Sequence, residues 1–182
     1  MNAGSDQITL HAAQRGDRDA LASLLHCLQD SWYRMSLGLL ADPELARDAT
    51  QETAIRFLRQ LPGFRGDSQL RTWSLGICIN VVRELKRASR GHGSLDAADD
   101  YPGRSDSTNR PYDVAERAEE IEALKAVLHT LPDRQREAVI LRFFEDLSVE
   151  QTAVAMKCAA GTVKATVHQA LRALRTKLKQ LV

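Results

Sequence analysis

The stretch SVEQTAVAMKCAAGTVKATVHQALRALR, residues 148–175, holds two helical patterns separated by a tight turn. Ser148-Val149-Glu150-Gln151 fits a capping box, in which the serine side chain accepts from a first-turn backbone N–H and the glutamine reaches back to the cap. A helix therefore starts at Ser148 and runs to about Met156 or Lys157. Gly161-Thr162 opens a second helix, whose apolar stripe is Val163, Val167, Ala170, Leu174, Leu178 and Leu181. At about 100° per residue, Lys164, His168, Arg172, Arg175 and Lys179 gather on the neighbouring face. A short capped helix, a turn, and a second helix with a basic outward face make the pattern of a helix-turn-helix. The second helix is narrow enough to enter a DNA major groove.

Charge distribution supports an anionic partner for that helix. The chain of 182 residues has 25 Lys/Arg against 24 Asp/Glu, a net charge of +1. Residues 114–156 carry nine acidic and five basic residues, whereas residues 157–182 carry six basic and none acidic. A cationic end on a nearly neutral protein points to a local anionic partner instead of general stickiness. A solvated basic face on an ordinary bundle helix explains the charge alone equally well. Solvated faces, however, normally interleave acids, and the cations coincide with the second helix of the tight pair. If all six cations met phosphates the salt slope would be about −5; three or four contacts are expected.

Working outward, the first half holds four apolar-periodic segments, starting with a short one around Ile8 to Gln14 that stops at Gly16-Asp17. Leu21, Leu24, Leu25, Leu28, Trp32, Met35 and Leu39 share one helical face. Asp42-Pro43 supplies an N-cap and a first-turn proline for a third helix, which Pro62-Gly63 stops. Its inward residues are expected to be Leu45, Ile55, Leu58 and Leu61, with Asp48, Glu52, Arg56 and Arg59 facing away. From Leu70 to about Ala88 a fourth helix carries Trp73, Ile77, Val81 and Leu85 inward. Between Ser89 and Asp113 the composition turns to Ser, Gly, Asp and Pro, too poor in apolar residues to offset ordering entropy, so a flexible linker is expected. Beyond it, Ile121, Leu124, Leu128 and Leu131 mark a helix that ends at Pro132, and DRQREAVILRFF resumes the pattern. No alternating strand pattern occurs. The expected fold is all-α: two small helical domains joined by a flexible linker, the second a four-helix domain with a helix-turn-helix.

Other classes find little support. No apolar run approaches the roughly 20 residues that span a bilayer, and the first residues lack the basic and apolar regions of a signal peptide. A cytoplasmic protein without membrane insertion is expected. Cys27, Cys78 and Cys158 lack metal or disulfide spacing and read as small core residues. His11, His26, His92, His129 and His168 form no metal-spaced set, and no nucleophile elbow or phosphate loop is present. No enzyme activity, catalytic residue, cofactor, metal or small-molecule substrate is expected.

Leu131 to Arg175, LPDRQREAVILRFFEDLSVEQTAVAMKCAAGTVKATVHQALRALR, resembles the promoter-binding region of bacterial extracytoplasmic-function sigma factors of the sigma-70 family, through its L-P-x-x-x-R, F-E-x-L-S and G-T-V-K anchors. Response-regulator output domains share part of that pattern. Asp48 to Trp73, DATQETAIRFLRQLPGFRGDSQLRTW, resembles the same family's D-x-x-Q-E-T and F-R-G-D-S-x-F-R-T-W block, in the family's order. The resemblance implies a sigma region 2-like domain over residues 1–88, a linker over 89–113 and a sigma region 4-like domain over 114–182. It implies binding to core RNA polymerase and promoter DNA, selective initiation, and restraint by an anti-sigma factor.

The resemblance also assigns residues. Asp48, Gln51, Glu52 and Arg56 would dock on the polymerase, although a solvated ion-pair stripe would look the same. Asp67, Ser68, Gln69 and Arg71 at the loop, with Asn80 along the following helix, would hold an unstacked base of the minus-ten element. Asp67 and Ser68 also suit a simple turn and cap, and Trp73 suits the core better than a stacking platform. Arg83, Lys86, Arg87 and Arg90 would hold the DNA backbone, which positions without specifying. Thr162, Lys164, Ala165, Thr166, His168, Gln169 and Arg172 would face the minus-thirty-five element. The chain departs from the family pattern at several points. Ala54 stands for a usual Phe, Leu70 for Phe, Gly76 for Arg, and Lys157 for the usual turn Gly; Thr166, Gln169 and Leu171 replace frequent Arg. Competing readings are a helix-turn-helix regulator that is not a sigma factor, and an inactive paralogue that titrates polymerase.

Overall fold

The structure is a computed structural model that describes residues 3–92 and 126–181. Among these, no residue lies in a strand. The first half comprises α1 (Ala3–Gln14), α2 (Arg18–Leu40), α3 (Pro43–Gln60), a 3-10 turn (Leu61–Gly63) and α4 (Leu70–His92). The second comprises α5 (residues 126–129), α6 (Asp133–Val139), a π-helical turn (Ile140–Phe144), α7 (Val149–Met156) and α8 (Ala160–Leu181). Most of the expected linker, with Ile121 and Leu124, lies outside the described residues. Helix α4 continues to His92, beyond its expected end near Ala88.

Local chemistry sets the helix ends. Asp17 caps α2 by accepting from the Ala20 N–H at 2.9 Å. The α2 chain then turns at Ala41, φ 57°, and Asp42 at once caps α3 by accepting from the N–H groups of Glu44 and Leu45 at 2.8 and 3.0 Å. Gln14 fastens α1 to the turn after α3, donating from Nε2 to the carbonyls of Leu61 (3.2 Å) and Phe64 (2.8 Å). The capping box of α7 is complete: Gln151 N–H donates to Ser148 Oγ at 3.1 Å and Ser148 N–H to Gln151 Oε1 at 2.7 Å.

The inward face of α2 is as expected, with Leu28, Trp32, Met35 and Leu39 buried and Leu21, Leu24 and Leu25 packed against the same core. A chain of rings extends from it, Trp32 to Phe57 at 5.4 Å, Phe57 to Trp73 at 5.7 Å and Trp73 to Phe64 at 4.8 Å. Trp73 is half-buried and packs against the edge of that core, and Trp32 Nε1 donates to Ser74 Oγ at 3.0 Å.

Helix α3 differs from expectation. Its buried face is Ala46, Ala49, Thr53 and Phe57, while Leu45, Ile55 and Leu58 are exposed. Small residues let α3 lie close to its neighbours, and Thr53 keeps its hydroxyl satisfied by donating to the Ala49 carbonyl at 2.6 Å. That arrangement turns the larger aliphatics outward; of the expected inward set only Leu61, past the helix end, is fully buried. Two further corrections follow from exposure: Cys27 faces solvent and Cys158 is half-buried, although Cys78 is buried, and Leu178 stands exposed.

Helix α4 is enclosed on both sides. Six consecutive residues, Ser74 to Ile79, are buried, because α2 and α3 cover one side and α7 the other. One apolar core therefore runs through both halves, joining Trp32, Met35, Leu75 and Ile79 to Ala138, Ile140, Leu141, Leu147, Ala155 and Met156. A smaller cluster of Leu128, Leu131, Val139 and Ala170 holds α8. The Arg136 guanidinium binds the seam, donating to the carbonyls of Leu39 (3.3 Å), His129 (2.9 Å) and Leu131 (3.0 Å).

Candidate nucleic-acid interfaces

Helix α8 is seated by Val163 and Ala170, both fully buried, with Val167 and Leu174 half-buried beside them. That seating leaves Thr162, Lys164, Ala165, His168, Gln169 and Arg172 exposed and Thr166 half-buried. Arg175 and Lys179 continue the cationic side. Among the described residues none of these cations forms an ion pair. The turn before α8 depends on Lys157, held at φ 53°. This is a left-handed conformation that a glycine adopts without strain, which explains the family preference for Gly there.

The second assigned surface is arranged quite differently. At its loop end Asp67 and Gln69 are exposed and Ser68 is half-buried, with Arg65 3.9 Å from Asp67. Gln69 Oε1 accepts from Gln151 Nε2 of α7 at 2.9 Å. Arg71 reaches into the second half, donating to the Glu145 carbonyl at 2.7 Å and to Ser31 Oγ at 3.1 Å. It also donates to the Glu145 carboxylate, as Ser31 does. Arg83 meets Glu137 through two parallel bonds of 2.8 and 2.7 Å, and this carboxylate raises the affinity of the guanidinium for its proton. Lys86 Nζ donates to Asp133 at 2.6 Å. Asn80 lines a cavity of about 360 Å³ between α4 and α7, together with Trp73, Gly76, Arg87 and Lys157. Gly76, standing for the family's Arg, lies against α7: a Cβ there would sit 3.3 Å from the Ala155 carbonyl oxygen.

On α3, Asp48 and Gln51 are exposed. By helical angle they share the outward face with Ile55 and Leu58. Glu52 and Arg56 lie at its edge, half-buried. Arg56 bridges Glu52 on α3 and Glu84 on α4, each at 2.7 Å. The pair with Arg56 pulls the Glu84 carboxyl below its ordinary value. Beside Gln51, a hollow of about 370 Å³ opens between α2 and α3, with Leu25, Tyr33 and Ala54 in its wall.

Ile55 and Leu58, Ser31 and Glu145 are the residues that sequence reading missed here. The first two followed from crediting size over close approach. A lone Glu in FEDLS carries no sign of burial, but LGICINVV (Leu75 to Val82), apolar nearly all round, does signal a helix covered on both sides.

An all-helical chain ending in a helix-turn-helix, with a second helical unit before it, defines a class of DNA-binding transcription proteins. Family models place it further: sigma-70 region 2 matches residues 24–91 and sigma-70 region 4 matches residues 121–174. The chain is 33% identical to the RNA polymerase sigma-H factor of Pseudomonas aeruginosa, over 97% of this chain and 95% of that protein. It is 25% identical to the ECF sigma factor SigW of Bacillus subtilis, over 92% and 94%. It belongs to the extracytoplasmic-function sigma factors of the sigma-70 family, and its function is that of a sigma factor in transcription initiation. Its fold matches the solved structure of CnrH in complex with the cytosolic domain of CnrY, with a TM-score of 0.73, 19% identity, and 96% and 97% of the two chains covered. It also matches the sigma factor RpoE of Bartonella quintana in complex with the anti-sigma factor NepR, with a TM-score of 0.66, 22% identity, and 87% and 96% covered.

Among the described residues no helix is long and apolar enough to cross a membrane, and no group of three or more His, Cys, Asp or Glu could hold a metal.

Proposed function

We propose that this sigma factor divides its work among three surfaces. The outward face of α3, Asp48 and Gln51 flanked by Glu52, Arg56, Ile55 and Leu58, docks on core RNA polymerase. The loop from Asp67 to Arg71 and the face of α4 carrying Asn80, Arg83, Lys86 and Arg87 handle the minus-ten element. Helix α8, through Thr162, Lys164, Ala165, Thr166, His168, Gln169 and Arg172, lies against the minus-thirty-five element, anchoring on phosphates at its cations. The chain acts in the cytoplasm, catalyses nothing itself, and is restrained by an anti-sigma protein; the RpoE–NepR structure supports such a partner. The domain limits remain 1–88, 89–113 and 114–182, with α4 carried on to His92.

One observation carries this reading: the cations of α8 stand exposed without ion pairs among the described residues, on a face separate from the mixed polar and aliphatic face of α3. The test is transcription by core polymerase, with and without the chain, on a promoter library. Selective initiation is expected, and core binding without it would identify a polymerase-titrating paralogue. Asp48→Lys or Ile55→Glu should reduce core binding while Lys164→Ala and Arg172→Ala reduce promoter binding. Equal losses in both assays would overturn the division.

A further inference from the structure

The hollow of about 370 Å³ between α2 and α3 has no task in the assignments above, although Gln51 in its wall belongs to the polymerase face. Its shape follows from side-chain size. Thr50, Gln51 and Ala54 stand within little more than one turn of α3. Leu25, Trp32 and Tyr33 answer from α2, at i, i+7 and i+8 on one helical side. Further along α3, Phe57 fills the space against Trp32, ring centre to ring centre at 5.4 Å. At Ala54 a single methyl leaves the space open. A phenylalanine, the family's usual residue there, would carry a ring into it.

The rim of the hollow carries a sign. Arg47 at its edge is already paired with Glu44. Asp30 in the rim and Asp48, one turn before Gln51, are exposed and form no ion pair among the described residues. An apolar floor under an acidic rim suits an apolar side chain carried on a basic segment. Interfaces seat their anchoring side chains in such pockets, and these few anchors carry most of the binding free energy. Pockets for small ligands start at about 300 Å³, so the hollow has room for one aromatic or branched aliphatic side chain. A second copy of the chain docking through the same face would bring Asp30 and Asp48 against their own counterparts, so like charges oppose it.

We propose that this hollow is a socket for one apolar side chain of core RNA polymerase, carried on a basic segment, so that α2 shares the docking that α3 begins. The inference rests on the reading of α3 as the polymerase face and extends that face to Leu25, Asp30 and Tyr33. Ala54 opens the socket, so the contact is particular to chains with a small residue at that position.

The test places a benzophenone amino acid at Tyr33, and separately at Gln51, in the full chain, with irradiation in the presence and absence of core polymerase. Both positions should crosslink to polymerase, and Ala54→Phe should abolish the crosslink from Tyr33. Ala54→Phe should also weaken core binding at least about tenfold, with thermal unfolding unchanged or raised and promoter-duplex binding by α8 unaltered. A crosslink from Tyr33 only within the chain would mean that its own segments fill the hollow, and would overturn the proposal. So would raised thermal unfolding with unchanged core affinity in Ala54→Phe, the mark of a mere packing gap. The crosslinks are read with Ala54 in place, so they decide the matter even where Ala54→Phe fails to fold. Crosslinking from Gln51 without Tyr33 removes the socket and leaves the α3 face standing, whereas none from either position removes the α3 reading itself.

Discussion

Helices α4 and α8 both carry rows of basic side chains, and both were assigned to DNA, yet they meet opposite surroundings. Every α4 cation from Arg71 to Lys86 has a carboxylate partner across the seam. The cations of α8 have no ion-pair partner among the described residues, and residues 157–182 contain no acid to supply one. Positive charge along a helix therefore does not by itself measure readiness to bind an anion. What matters is whether the rest of the fold has already supplied the anion.

The largest expected effect tests that contrast directly. Lys164→Ala combined with Arg172→Ala should lower the affinity of the free chain for a selected promoter duplex about 10- to 100-fold and reduce the salt slope by about 2. Arg83→Ala combined with Lys86→Ala should change the same affinity less than about threefold, because those cations are already engaged. Fluorescence anisotropy across a salt series measures both, and similar losses from the two pairs would break the comparison.

The covered side of the molecule should also show itself in alkali. Burial pushes the Cys78 thiol up to about 11 from an ordinary 9.0, partly opposed by its contacts with Ser36 and Thr53. The folded thiol thus ionises later than the unfolded one, so its contribution is intact below pH 9 and is lost as pH rises toward 11. That loss is on the order of 2 kcal/mol. Urea unfolding of the parent and of Cys78→Ala isolates it from other groups: the difference between the two should shrink as pH climbs from 9.0 to about 11. Exposed Cys27 should react with a thiol reagent at mildly alkaline pH long before Cys78 does.

A smaller effect compares single charges on the two helices. Glu137→Gln leaves Arg83 with a weaker acceptor in a place where both are largely shielded, and should cost about 1–2 kcal/mol in urea unfolding. Arg175→Gln on exposed α8 should stay within about 0.5 kcal/mol. Similar costs would mean that the seam is as wet as the surface.

Much of this organisation is legible in the sequence, because capping chemistry and turn residues are local. The break at Gly16-Asp17, the caps at Asp42 and Ser148, the stop at Pro62-Gly63 and the apolar stripe of α2 all fall where local pattern puts them. Reading failed where a long-range choice decided between two local options. Helix α3 offers a leucine-isoleucine face and an alanine-threonine-phenylalanine face, and only the space left by its neighbours selects the second. The pairing of Arg71 with Glu145, separated by 74 residues, cannot be read from either segment alone. The apolar run around Cys78 was the available clue that α4 is covered twice.

The smallest predicted effect concerns two positions where the chain exchanges the family's preferences: Gly76 for an arginine on α4, and Lys157 for a glycine before α8. The first permits the covered surface; the second bears on how the open one is presented. Lys157 holds φ 53° and ψ 54°, a conformation that costs a side-chain-bearing residue roughly 1–2 kcal/mol. Glycine removes that strain but gives the unfolded chain more freedom, so Lys157→Gly should stabilise by about 0.5–1 kcal/mol. Lys157 also lines the cavity beside Asn80, yet its side chain is exposed there and forms no ion pair among the described residues. Thermal unfolding of the two proteins should therefore differ by only a few degrees, with the Lys157→Gly variant the higher. A lower value for that variant would show that the lysine side chain, and not the backbone turn, decides that corner of the structure.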